Sequence, residues 1–351
     1  MTPTPRSAYM SLNDFDYEEE ERRPRKKHTG RNVLLVFLAL VLTVAVVAGL
    51  FVWNLGRNFD RGSSPIESAF PAESDRPEKD SAQDAGTTVM LLGSDKRPEG
   101  EDPNVTGSRA DSIMLLHIPD DGGEMYIMSI MRDTWVDIPG VGEAKINAAL
   151  DHGGMPLMVQ TFEEHFGTRI DEVAQVDFAG FEGLTDALGG VTVNVPVGFT
   201  NNQGQTFQQG PQEMDGETAL AFVRERYAFQ DGDYQRVRNQ RAYLQAMINK
   251  LVSSETLTNP VKINEVVKQI SPYLTVSDGL TANWIIRQAP KLVGLSNSDI
   301  HMFTVPTQGT GTSADGQSIV VADTQAMQEI GDAISEGTLG EYVSNLPAGD
   351  Q

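Results

Sequence analysis

Four short stretches carry the side chains that could do chemistry. "LLGSDKRP" (91–98) holds Asp95 and Arg97, "GSRADSIMLL" holds Arg109 and Asp111, and "SIMRDTWVDIP" holds Arg132 and Asp133. The fourth, "VRERYAFQDGDYQRVRNQR" (223–241), gathers Arg224, Arg226, Arg236, Arg238 and Arg241, with Gln240 among them. A guanidinium is a planar fork of donors that stays charged and matches phosphate oxygens. Two carboxylates alone would repel a phosphate, but with a divalent cation between them they anchor it. Mg²⁺ asks for only one or two carboxylates, waters and phosphate oxygens, and Asp95 and Asp111 suit that need. The chemistry implied is recognition of a pyrophosphate, with arginines and metal stabilising the charge that builds on a departing phosphate.

Other chemistries lack their parts. The chain has no cysteine, which excludes disulfides, thiolate metal sites and a cysteine nucleophile. None of its five histidines pairs with another at metal-ligand spacing, and G-x-S-x-G, P-loop and H-E-x-x-H motifs are absent. Taken singly, each arginine has an ordinary role. Arg224 and Arg226, for instance, would complement a helix C-terminus for about 0.3–1 kcal/mol each. Taken together they are oddly concentrated, because the chain carries 27 Lys and Arg against 49 Asp and Glu, a formal net charge of −22. Such a chain repels nucleic-acid phosphates over most of its surface, so a polynucleotide partner is excluded and any phosphate site is a local pocket.

The elements that must position these residues follow from the apolar pattern. Residues 33–53 form an unbroken apolar run, long enough to cross a bilayer as a transmembrane helix over 33–55. "RRPRKKHTGR" precedes it and an acidic stretch follows, so the positive-inside rule puts a disordered tail (1–32) in the cytoplasm and the bulk of the chain outside. The outside part is the acidic one: residues beyond 31 hold 20 basic and 43 acidic side chains, a net −23. The Ser-, Pro- and Asp-rich segment 56–86 reads as a linker with room for a short membrane-proximal helix.

From residue 87 the pattern predicts strands over 87–93, 112–118, 124–130, 173–177 and 191–195. It predicts helices over 156–167, 178–190, 215–226 and 233–253, the third started by an Asp cap. Further helices are expected near 261–270, 281–293 and 323–335, with strands near 299–305 and 317–321. The alternation argues for an α/β domain with helices on both faces of a mixed sheet. In such sheets ligands gather at strand ends and adjacent helix ends, where the four clusters could converge. Arg236 and Gln240, four apart, share one helix face, and Asp233 is expected to cap that helix or to pair with Arg236.

In order, "LLGSDKR", "GSRADSIMLLHI", "SIMRDTWVDIPG", "KINAAL", "VDFAGFEGLTDALGGVTV", "MDGETALAFVRER" and "DYQRVRNQR" resemble the LytR-CpsA-Psr proteins of bacterial cell envelopes. The resemblance covers about residues 87–340 and implies a three-layer α-β-α catalytic domain there, with 341–351 as a C-terminal tail. It implies a membrane-anchored phosphotransferase that moves a glycopolymer, as a phosphodiester, from a polyprenyl-pyrophosphate carrier to a peptidoglycan hydroxyl. The partners implied are that glycan carrier, peptidoglycan and membrane lipid. Asp95 and Asp111 resemble the metal pair for Mg²⁺ or Mn²⁺, and Arg109, Asp111 and Arg132 the catalytic set. Arg97, Arg224, Arg226, Arg236, Arg238 and Gln240 resemble the pyrophosphate-binding set. Phe178, Phe181, Leu184 and Leu188 are candidates for an apolar tunnel that takes the prenyl tail. Two positions depart from the family pattern: Asn239 stands where an Arg usually precedes the Gln, with Arg238 as the substitute contact, and Met131 stands where Pro is common. The same clamp would serve a polyprenyl-pyrophosphate hydrolase, and a non-catalytic carrier-binding protein would hold the lipid without turnover.

Overall fold

The computed structural model describes residues 50, 53–78, 86–94, 110–251, 259–292 and 295–347. Contacts divide the chain into Met1–Phe51 and Val52–Gln351, and the description below concerns the second unit. The predicted span at 33–55 lies almost wholly outside the described residues, as does the tail 1–32. Among the described residues no helix is long and apolar enough to cross a membrane.

The chain enters through a helix over residues 53–62 (α1) and a short strand, Ser64–Pro65 (β1). Strands Gly86–Ser94 (β2), Ala110–Pro119 (β3), Met125–Ile130 (β4), Thr134–Ile138 (β5) and Gly142–Lys145 (β6) follow. Next come helix Ala148–Phe166 (α2), strand Glu172–Asp177 (β7), helix Phe178–Ala187 (α3) and strands Val191–Val195 (β8), Phe199–Thr200 (β9), Thr206–Phe207 (β10) and Gly210–Met214 (β11). Helices Gly216–Arg224 (α4), Asp233–Leu251 (α5) and Pro260–Ile270 (α6) lead to strand Leu274–Val276 (β12) and helix Ala282–Leu292 (α7). The chain closes with strands Ile300–Thr304 (β13), Thr307–Thr312 (β14) and Ser318–Ala322 (β15) and helices Thr324–Glu336 (α8) and Leu339–Asn345 (α9).

A seven-stranded mixed sheet runs β1-β12-β7-β2-β3-β4-β13. β2 pairs parallel with β7 and antiparallel with β3, and β4 pairs parallel with β13. The period of two along its strands explains the layers. Met90, Leu92, Ile113, Leu115, Met128 and Ile130 join one core, which α2, α8 and α9 cover through Phe162, Met327, Ile330 and Val343. Their neighbours Val89, Leu91, Met114, Leu116 and Ile127 face the other way, against Val267, Trp284, Leu244 and Ile248 of α5 to α7. Strands apolar on both faces are buried on both, so the domain is the three-layer α-β-α arrangement expected. A second, four-stranded sheet runs β14-β15-β5-β6, and a hairpin-like pair β8-β11 carries its own core with α3 and α4.

Three expectations change. Helix α2 begins at Ala148 rather than 156, because it is two segments joined at Gly153–Gly154, with Gly154 at φ 64° and Pro156 opening the second. The segment 56–86 is not a free linker where it is described: β1 adds to the sheet, Phe59, Ile66 and Ala69 are buried, and Arg76 donates to Glu163 and to the carbonyl of Ile170. The C-terminal tail placed at 341–351 belongs to α9 as far as Asn345, with Val343 buried on the core.

Candidate active site

The site is assembled where the central sheet meets α3, α4 and α5. Asp111 is the second residue of β3. Arg132 leaves β4 two residues beyond Ile130, in the turn to β5. Helix α4 starts from Asp215, whose carboxylate accepts from the Thr218 amide at 2.9 Å, so its last residue is Arg224. Glu225 breaks the helix and accepts from the amides of Tyr227 and Ala228 at 2.7 and 3.0 Å, which fixes the turn carrying Arg226. Helix α5 then opens with Asp233, and Arg236 and Gln240 follow on one face.

These side chains meet. Asp111, Arg132, Arg224, Arg226, Arg236 and Gln240 line one cavity of about 480 Å³, together with Phe178, Phe181 and Leu184. Arg132 is ion-paired to Asp111. Asp233 Oδ2 accepts from Arg236 Nη2 at 2.8 Å and stands 3.7 Å from Arg132 Nε, while its Oδ1 is 4.0 Å from Arg226 Nη1. Arg224 lies over the Phe178 ring at 4.3 Å and Arg226 over Tyr227 at 4.6 Å. Four guanidiniums line the cavity with the carboxylates of Asp111 and Asp177, and Asp233 and Asp133 lie within 4.0 Å of them, so cationic side chains are concentrated here in a domain that is otherwise strongly acidic.

Two of the cations are held with donors to spare. The Nε atoms of Arg132 and Arg236 are buried and have no hydrogen-bond partner. Arg236 is only 4% exposed, and burial pulls its pKa below the usual arginine value, with Asp233 opposing and Arg132 adding to the effect. A buried donor left unpaired costs about 1–3 kcal/mol, more on a charged group, and an anion at this spot would remove that cost. Arg226 is shifted the other way, because its guanidinium donates to the Tyr227 hydroxyl at 2.6 Å and feels Asp233 and Asp133.

The deep part of the cavity is apolar. Phe178 and Phe181 on α3 face Tyr243, Leu244 and Met247 on α5, with Ile270 and Leu274 closing the wall. The Tyr243 ring lies tilted against Phe181, centroids 4.3 Å apart, and its hydroxyl meets Thr185 Oγ1 at 2.6 Å. Burial pushes that phenol up to about 12, so Tyr243 is a neutral wall. Charged at the mouth and greasy within, the cavity fits an amphiphile with an anionic head.

Not every predicted residue is here. Asp95, Arg97 and Arg109 lie outside the described residues. Arg238 points away: it is ion-paired to Asp231 and donates to Gln235 at 2.9 Å, because a position two beyond Arg236 falls on another helix face. Nor does Asn239 supply the contact; it is fully buried and donates to the Phe222 carbonyl of α4. Leu188 is buried in the core with Val191 and Phe222 rather than lining the cavity, since α3 has ended at Ala187 and Leu188 caps it. Gln175, Tyr227 and Tyr243 are cavity residues that the sequence reading passed over; a glutamine inside the apolar strand "VAQVD" was the available signal for the first.

The LytR_cpsA_psr family model matches residues 61–336. The chain belongs to the LytR-CpsA-Psr family. It is 38% identical over 209 residues to the "Probable cell wall biosynthesis protein LcpB" of Corynebacterium glutamicum, a match covering 56% of this chain and 50% of that one. It is 29% identical over 351 residues to "Cell wall biosynthesis protein LcpA" of the same organism, covering 88% and 64%. The chain thus spans half to just under two thirds of these relatives. Among solved structures, Bacillus subtilis TagT, seen as "TagT bound to LI-WTA", superposes with a TM-score of 0.58 at 26% identity, over 77% of this chain and 99% of TagT. In this LytR-CpsA-Psr domain the donor set also bears on metal binding. Among the described residues no three His, Asp or Glu cluster as metal ligands. Mg²⁺ needs fewer: Asp111, partly exposed at the mouth beside four cations that would hold phosphate oxygens, is an oxygen ligand of the right kind. β2 and β3 pair through Ser94 and Ala110, the residues just before Asp95 and Asp111 in sequence.

Proposed function

We propose that this chain is a membrane-anchored phosphotransferase that moves a glycopolymer from a polyprenyl-pyrophosphate carrier to a peptidoglycan hydroxyl. The observation that carries the reading is the pairing of unmet, buried guanidinium donors with a contiguous apolar cavity. A pyrophosphate would satisfy the first and a prenyl tail the second. TagT, bound to a wall teichoic acid ligand, supports a glycopolymer as the group transferred. The run at 33–53, with its basic N-terminal flank, supports the anchor.

In this reading Arg132, Arg226 and Arg236 grip the diphosphate, and Asp233 holds the three at a common point. The acceptor hydroxyl oxygen attacks the phosphorus that carries the glycan. The bond from that phosphorus to the bridging oxygen breaks, leaving the prenyl monophosphate in the cavity. The acceptor's proton passes to a carboxylate of the site. Arginines stabilise the leaving phosphate because they are already oriented at the mouth of a largely apolar cavity. Asp111, with Asp95, would hold Mg²⁺ or Mn²⁺, which when bound supplies further charge neutralisation at the phosphates. Phe178, Phe181 and Leu184 exclude water from the tail and fix its depth.

The test is transfer of a labelled glycan from polyprenyl pyrophosphate to peptidoglycan by the full chain and by Arg132→Ala and Arg226→Ala. Both variants should keep their circular dichroism and lose transfer. Full activity in both defeats the reading, and free glycan phosphate formed at equal rate with and without acceptor identifies a hydrolase instead.

A further inference from the structure

The apolar cavity does not exhaust the unpaired hydrophobic surface. Among the described residues Trp53 is 59% exposed, Val261 66%, Ile285 41% and Ile286 43%. They come from three separate helices, α1, α6 and α7, that are fastened to one another. The Asp60 carboxylate accepts from the Ala282 amide at 2.8 Å and caps α7. A Cβ on Gly56 would come 2.9 Å from that of Ala282, so α1 and α7 are in contact there. Asn58 donates to Asn264 at 2.9 Å, and Gly62 abuts Ser271. With 58 matched to 264 and 62 to 271, α1 and α6 run in the same direction, which brings Trp53 and Val261 to the same end. Ile285 and Ile286 stand one turn from the Ala282 contact.

The charge on these helices is the reverse of the domain's. Arg57, Arg61, Lys268 and Arg287 are all exposed, and Arg57 lies over the Trp53 ring at 5.3 Å. The acids on the same helices are Asp60, engaged as the cap of α7, and Glu265. Basic side chains interleaved with exposed Trp, Ile and Val are the composition of a surface that lies on anionic lipid. The apolar run 33–53 ends at Trp53, the first described residue of α1 in this unit, so this face is continuous in sequence with that run.

We propose that α1, α6 and α7 form a membrane-docking face, whose occupant is the headgroup region of an anionic bilayer. Ile285, Ile286 and Val261 enter it, and Arg57, Arg61, Lys268 and Arg287 bind lipid phosphates. The inference rests on the anchored reading above and adds an orientation to it. Helix α6 is exposed at Val261 and Lys268 and lines the cavity with Ile270, so a lipid tail passing from the bilayer into the cavity would travel along α6.

The absence of cysteine permits a direct test. The full chain is reconstituted into vesicles of seven parts phosphatidylcholine to three parts phosphatidylglycerol, and single nitroxides are attached to Val261→Cys, Ile286→Cys and, as a reference, Val141→Cys on the distant β5–β6 turn. The labels at 261 and 286 should be several-fold more accessible to oxygen than to a water-soluble nickel relaxant, and Val141→Cys the reverse. Reversing the charge of Lys268 and Arg287 together should return the label at 286 to the aqueous pattern. Labels at 261 and 286 as open to the nickel relaxant as that at 141 overturn the docking face while leaving the anchor standing. Broadening between labels at 286 that shows a second copy on the face overturns it too. Release of the chain by alkaline carbonate overturns the anchor and the docking face together.

Discussion

Arg236 Nη2 donates to Asp233 Oδ2 at 2.8 Å, one turn earlier on the same helix, and the same carboxylate lies within 4.0 Å of Arg132 and Arg226. One acid thus aligns three cations from two separate stretches of sequence, the exit of β4 and the α4–α5 segment. Asp233→Asn keeps the shape and removes the charge that offsets a buried guanidinium. It is expected to lower transfer by about 10²-fold and stability by about 1–3 kcal/mol, read by turnover and by urea unfolding. Wild-type turnover in that variant would show that the carboxylate aligns nothing.

Arg236→Ala removes a guanidinium that lines the cavity and whose Nε is unpaired. Transfer should fall about 10²–10³-fold, and calorimetry should show weaker binding of inorganic pyrophosphate. Arg238→Ala, two residues on, is the control. That side chain is turned to Asp231 at the surface, so turnover should change by less than about twofold.

Leu184→Trp places a ring in the apolar half of the cavity without touching the cationic mouth. The polyprenyl phosphate expected to accompany the purified wild-type chain should be depleted, as mass spectrometry would show. The KM for long-chain carrier should rise about tenfold. Unchanged lipid content would mean that the tail lies elsewhere.

Asp111→Asn should weaken the dependence on Mg²⁺, and chelation should stop wild-type transfer. If the wild type works equally well in excess chelator, the metal has no part in the reaction.

A pH effect on stability comes from the opposite end of β3. His117 is buried against Thr88, whose hydroxyl lies 3.0 Å from Nδ1, and burial drives its pKa down from 6.5 to about 4. The folded state therefore binds this proton less readily than the unfolded chain. Its contribution is intact above pH 6.5 and is lost progressively as the pH falls towards 4, by up to roughly 3 kcal/mol. In urea titrations at pH 7 and pH 4.5, His117→Gln should show a smaller loss between the two than wild type.

The sequence made the central sheet legible because β2, β3 and β4 are short runs apolar on both faces, with the turn residues 119–123 between the last two. The arginine clamp was legible from residue type, since five arginines in 19 residues of an acidic chain demand a local anion. What failed depended on rotation and on distant partners. Arg238 and Arg236 are the same residue type two positions apart, and only the helix phase separates a ligand from a surface ion pair. Leu188 continues the spacing of Phe181 and Leu184, but the helix stops one residue too soon. The strands at 142–145 and 307–312 are short, partly exposed and rich in Thr, Gly and charge, so no apolar run marks them, and 134–138 is a five-residue strand whose apolar Trp135, Val136 and Ile138 are interrupted by Asp137. The segment at 56–78 reads as polar because much of what fixes it forms across the fold: β1 pairs with β12, Glu73 with Arg169, and Arg76 makes an ion pair with the buried Glu163.

That ion pair sets where the protein can be cut. Arg76 reaches Glu163 at 2.5 Å and lies over Phe70 at 4.6 Å, and the Glu163 side chain is wholly enclosed. Trimming the chain to residue 87, the boundary its motifs recommend, would strip the cation and strand a carboxylate inside the core, at about 3–5 kcal/mol. It would also delete an edge strand and the helix that caps α7. A soluble form for crystallisation or assay should therefore retain everything from Trp53 onward.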